Sequence, residues 1–155
     1  MEDTETLTDR VADNTKEEDN LRILRDTNDT IKFYAKHPEF IDRRLRMLNK
    51  EWDIERTLET NASTLSLLGI ALSVLVNRRF IILPALVAAF LLQHGLQGWC
   101  PPLIFFRKKG IRTKDEINRE KNILKAIRGD YDTLCEAKDA EPKDRLSGAL
   151  RAFKA

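Results

Sequence analysis

The stretch TNASTLSLLGIALSVLVN (60–77) is followed, after only Arg78 and Arg79, by FIILPALVAAFLLQHGLQGWCPPLIFF (80–106). These runs of 18 and 27 residues contain no Asp, Glu, Lys or Arg, in a chain that is 34% charged. Uncharged apolar runs of about 10–14 residues usually form a buried core helix, and runs of about 18 or more usually cross a membrane. The centres, Leu67–Leu72 and Leu86–Leu92, lack the polar face of a hairpin packed inside a soluble bundle. The rest of the chain also has too little apolar surface to wrap both helices. The expected fold is therefore all-α, a membrane-embedded two-helix hairpin over 60–106 flanked by amphipathic cytoplasmic helices. A soluble, basic helical interaction protein with a buried hairpin is the competing reading.

At 1.5 Å per residue the first run covers roughly 27 Å, just short of a hydrocarbon core of about 30 Å. Asn77-Arg78-Arg79 leaves room for a tight turn only. Pro84 falls near the start of the second helix, where a missing N–H is tolerated. Gly95, Gly98 and Pro101-Pro102 are expected to end that helix near Gln97, leaving Leu103–Phe106 at the interface. Gly69, Gly95 and Gly98 would let helices approach closely.

Outward from the hairpin the chain divides into unlike parts. Mean hydropathy is −0.43 over 155 residues, but residues 1–20 carry eight acids against Arg10 and Lys16. That segment is nearly free of aliphatic side chains and reads as a flexible acidic tail. Residues 21–59 read as an amphipathic helical region. Leu21, Leu24, Ile31 and Ala35 lie near one face up to His37-Pro38. Ile41, Leu45, Leu48 and Trp52 then follow at i, i+4, i+7 and i+11. No Gly or Pro occurs from Glu39 to Leu68, so this helix is expected to run unbroken into the first apolar run. Leu48 and Trp52 are expected to pack against Leu124 and Ile127.

Residues 107–155 read as a basic amphipathic region. Thr113-Lys114-Asp115-Glu116 is a capping-box pattern and Gly129 a plausible helix stop. Leu146, Ala149, Leu150 and Phe153 predict a short final helix. Basic side chains on both sides of the apolar block outnumber the two arginines of the turn, which predicts an inserted hairpin with both termini cytoplasmic. A re-entrant, half-inserted hairpin is the alternative, because two arginines must otherwise be translocated. The acidic N-terminus has no secretory pattern, so the internal apolar block would direct insertion. Arg107, Lys108, Lys109 and Arg112 are the expected contacts to anionic headgroups. Charge alone permits nucleic-acid binding, but no recognised module or aromatic interleaving supports it.

The string Gln93-His94-Gly95-Leu96-Gln97-Gly98-Trp99-Cys100-Pro101-Pro102 is followed by Arg107-Lys108-Lys109-Gly110-Ile111-Arg112-Thr113 and Ala126-Ile127-Arg128-Gly129-Asp130-Tyr131. Over residues 60–131 this resembles the YgaP-like transmembrane domain family, whose matching core here is Gly98, Trp99, Cys100, Pro101 and Pro102. The resemblance implies an inner-membrane helical hairpin that tends to dimerise and is generally without an assigned activity when it stands alone. Some relatives carry a rhodanese domain; this chain has none, so sulfurtransferase activity does not carry over.

Cys100 is the candidate reactive thiol, weighed against a small apolar residue before a proline break. On this reading it follows a helix, whose C-terminal dipole disfavours a thiolate. His94, six residues earlier, does not share a helical face with it, and two histidines in the chain are too few for a structural zinc site. Cys100 and Cys135 fit neither a disulfide framework nor paired metal ligands. Phosphate loops, nucleophile elbows and metal-ligand helices are not recognisable. The expectation is a non-enzymatic membrane anchor or scaffold without cofactor or metal. Its partners would be the bilayer, a second copy of itself and an unidentified protein. A thiol- or sulfur-handling membrane protein using Cys100 is the alternative.

Overall fold

Two long helices follow from the two apolar runs. In the computed structural model, which describes residues 9–132, α4 spans Ile54–Leu75 and α5 spans Ile82–Gln97. The described residues hold five further α-helices and no strand. These are α1 (Asp9–Asp13), α2 (Glu17–Lys36), α3 (Ile41–Leu48), α6 (Pro101–Lys108) and α7 (Lys114–Arg128). The final helix expected around Leu146–Phe153 lies outside the described residues, as does Cys135.

The described residues form two compact units, of which the first comprises residues 9–26 and 52–117. Its hairpin turns through a short 3-10 segment, Arg78–Ile81, where the Asn77 side chain accepts a hydrogen bond from the Arg79 N–H at 2.9 Å. At Gly69 α4 lies close against α5. A Cβ there would come within 2.6 Å of Pro84 Cδ, so the missing side chain lets the helices meet. At the opposite end from the turn, Val11, Ile54, Leu58, Cys100 and Leu103 form a core, with Phe106 and Ile111 packed on it.

The ends of these helices are closed by specific polar contacts. Gly98 sits at φ 69 after α5, and its N–H donates to the His94 carbonyl at 2.7 Å. The Asn14 side chain also donates to the Gln97 carbonyl. Arg22 donates to the last carbonyls of α6, those of Arg107 and Lys108. Residues 9–20 are thus helical over α1 and the start of α2, with Val11 only 1% exposed, where an acidic flexible tail was expected. Buried Val11 and the Asn14 side chain that bonds the Gln97 carbonyl order this segment, which an average over its composition conceals.

The expected continuous helix from Glu39 to Leu68 is interrupted after Leu48. Asp53 starts α4 afresh, its carboxylate accepting from the Arg56 N–H at 2.7 Å. An N-cap aspartate satisfies a helix-end donor and so competes with helix continuation. Trp52 therefore leaves the α3 stripe and stands 46% exposed with the Arg56 guanidinium over its ring.

The second unit comprises, among the described residues, 27–51 and 118–132. Ile41, Leu45, Leu48 and Leu124 are buried in it, whereas Ile127 is partly exposed. Arg44 donates to both carboxylate oxygens of Glu120, at 2.7 and 3.1 Å. Arg128 pairs with Asp42 and Asp130.

Candidate functional site

The residues after α5 form a junction rather than a simple chain break. Gly98 reverses the backbone, Trp99 is partly buried, and Cys100 is extended (φ −155, ψ 156) as the N-cap of α6. Pro101 and Pro102 occupy the first turn of α6, where no intrahelical N–H bond is lost. The prolines expected to leave an irregular interfacial segment instead begin a helix. Cys100 consequently stands at a helix N-terminus, where the dipole favours negative charge, and not merely behind a C-terminus.

Around Cys100 the fold gathers residues that are distant in sequence. Its side chain is 3% exposed and is a free thiol. The His94 imidazole, on the last turns of α5, has both the Cys100 thiol and the Glu55 carboxylate as neighbours. Glu55, on the first turn of α4, lies 3.2 Å from His94 Nε2. His94 is 8% exposed, and its Nδ1 is buried without a hydrogen-bond partner among the described residues. The six-residue spacing therefore does not keep His94 and Cys100 apart, because the chain reverses at Gly98 between them. Glu55 carries no sequence signal, being 39 positions from His94.

Cys100 also lines an apolar groove of about 360 Å³ between α4, α5 and α6, together with Leu58, Leu65, Leu86, Phe90 and Phe106. Asn61 is the one amide on its wall, and its Nδ2 already donates to the Thr57 carbonyl at 2.7 Å.

The four expected headgroup contacts separate. Lys108 and Lys109 are exposed, with Lys109 Nζ 4.3 Å from the Phe105 ring centroid. Arg107 is fully buried and Arg112 is 8% exposed, so neither guanidinium can meet a lipid headgroup in this fold. Arg107 donates to both oxygens of Glu116, at 2.7 and 2.8 Å, and also to Asn20, Thr15 and the Ile111 carbonyl. Burying a guanidinium is costly unless its donors are matched, and this set matches them.

Glu116 closes the capping box, accepting from the Thr113 N–H at 2.7 Å while its own N–H donates to the Thr113 hydroxyl. Burial pushes its carboxyl pKa up. The hydrogen bonds from Arg107 and Thr113, with the charges of Arg107 and Arg112, outweigh this and hold it below the ordinary 4.5.

Among the described residues no group of three or more His, Cys, Asp and Glu is arranged to hold a metal ion. No family model matches the chain, and no curated protein or solved structure matches it either.

Proposed function

We propose that this chain is a small integral membrane protein whose α4–α5 hairpin inserts into a bilayer and whose remaining helices form a cytoplasmic scaffold. The observation that carries this reading is the exposure of the hairpin. Both Ile54–Leu75 and Arg78–Gln97 are long and apolar enough to cross a membrane. In their most apolar 18-residue windows, only 11% and 6% is buried. Leu67, Val74, Leu75, Ile82, Leu92 and Leu96 are each more than half exposed. The core helix of a soluble protein would bury this surface, since each large aliphatic side chain contributes about 1.5–3 kcal/mol on leaving water.

The anchor reading extends to self-association and to recruitment of a protein partner, as the resemblance to YgaP-like hairpins implies. The basic flanks favour an inner-membrane location with both termini cytoplasmic. Length favours shallow insertion as a second reading. The first turns of α4 are committed to the core through Ile54, Thr57 and Leu58, so the free part begins near Ala62. The 14 residues from there to Leu75 cover roughly 21 Å, less than the hydrocarbon core of about 30 Å.

Alkaline carbonate extraction of membranes from expressing cells tests the assignment. The protein is expected in the pellet, and in the floating fraction with vesicles. Recovery in the carbonate supernatant, as a monodisperse protein without detergent, would defeat it.

A further inference from the structure

We propose that the second unit holds a binding site for a compact, soluble polyphosphate anion, in the groove that α3 and α7 line together. The groove encloses about 480 Å³, within the range of about 300–1,000 Å³ usual for small-molecule sites. Asp42, Leu45, Arg46 and Asn49 line it at i, i+3, i+4 and i+7 along α3 and its C-cap. Asn118, Lys121, Asn122 and Lys125 repeat that spacing on α7, so each helix gives it one continuous face. Nothing in this reading depends on the hairpin or on a bilayer.

The charges on these walls do not balance. Arg46, Lys121, Lys125 and Arg128 supply four cations, and Asp42 is the only carboxylate among the lining residues. Asp42 is already paired with Arg128. Asp130, just past α7, is held by Arg128 Nε and Nη2, and Lys125 adds its charge to the same carboxylate. Arg46 and Lys121 have no carboxylate partner among the described residues. Lys121 and Lys125 are half-buried and stand one turn apart, where like charges repel. A multiply charged anion seated beside them turns that repulsion into attraction.

The remaining lining chemistry narrows the anion. The Asn49 and Asn118 side chains make no hydrogen bond among the described residues. The Tyr131 hydroxyl donates to Asn122 Oδ1, which leaves the Asn122 amide N–H groups to donate. Phosphate oxygens accept from amides and cations alike, and a guanidinium can give them two parallel bonds. Leu45 is the single apolar side chain on the wall and no aromatic ring lines it, so neither a nucleobase nor an acyl chain finds a surface to pack on. The ligand is therefore recognised by its phosphates and carried in solution rather than on a lipid.

The test titrates inorganic tripolyphosphate into purified full-length protein in a non-ionic detergent, read by isothermal calorimetry at physiological ionic strength. One anion per chain is expected to bind saturably and more tightly than orthophosphate, with adenosine triphosphate binding no more tightly than tripolyphosphate. Arg46→Gln and Lys121→Gln should each weaken binding roughly tenfold, the scale of one charge-assisted hydrogen bond. Arg43→Gln, on an exposed α3 residue outside the groove lining, should leave it unchanged. Asp42→Asn removes the one wall carboxylate and should tighten binding, an effect that damage to the fold does not produce. Absence of saturable binding, equal weakening by Arg43→Gln and Lys121→Gln, weaker binding to Asp42→Asn, or a marked preference for the nucleotide would each overturn the proposal. Stronger displacement of tripolyphosphate by phosphatidic acid in the micelles than by glycerol 3-phosphate would overturn the soluble source.

Discussion

Arg107 carries a full positive charge with no exposed surface, and Glu116 is its bidentate partner. Removing one member of such a buried pair typically costs about 3–5 kcal/mol, because the other charge stays behind uncompensated. Glu116→Gln is therefore expected to lower the thermal midpoint in detergent, read by circular dichroism, by an amount corresponding to roughly 3 kcal/mol. The same carboxylate predicts a pH dependence. Its folded pKa lies below its unfolded value near 4.5, so the stabilisation is complete above about 4.5. It is lost as pH falls through the lower folded value. Between pH 5 and 3 the unsubstituted protein should lose stability more steeply than Glu116→Gln, and parallel curves would contradict the pairing. A basic run beside an apolar block is read from charge alone as headgroup contact. Burial of Arg107 depends on Thr15, Asn20 and Glu116 converging from three segments, which spacing along the chain does not reveal.

At the scale of elements, two glycines offer a controlled comparison. Gly98 and Gly110 both have positive φ, 69 and 83. A Cβ on Gly98 would lie 2.6 Å from Arg10 Cβ and 3.1 Å from the Arg10 backbone, while one on Gly110 would meet nothing within 4 Å. Gly110→Ala should cost only the left-handed strain of about 1–2 kcal/mol, whereas Gly98→Ala should cost distinctly more by displacing α1. Thermal melts of the two variants check this, and equal midpoints would show that α1 does not pack there. Helix ends marked by residue chemistry were legible in advance, notably Gly98, Gly129 and the Thr113–Glu116 box. Two others were not. Asp53 reads as one more charged position on a long helix until its cap bond is seen. Pro101-Pro102 reads as a break, although prolines equally begin a helix.

Over the whole molecule, the apolar hairpin was the legible part, since two long uncharged runs leave few alternatives to two long helices. The grouping of Cys100, His94 and Glu55 was illegible because it arises from a chain reversal and from helix pairing, neither of which has a fixed sequence spacing. For the hairpin insertion proposed above, depth would depend on the assembled protein and its bilayer, and Asn77→Cys tests it. A membrane-impermeant maleimide applied to intact cells, with the outer membrane permeabilised where present, should label this cysteine for a full span. It should leave the cysteine unlabelled for a re-entrant hairpin. The turn capped by Asn77 has a further consequence. It gathers Arg78 and Arg79 at the hairpin tip. Carrying two positive charges outward against an inside-negative potential costs roughly 5 kcal/mol per 100 mV. Collapsing the potential with an uncoupler should therefore increase labelling at position 77. The reach of the hairpin would then track how strongly the cell is energised, so the tip that closes the fold would also act as a voltage-dependent brake on its own translocation.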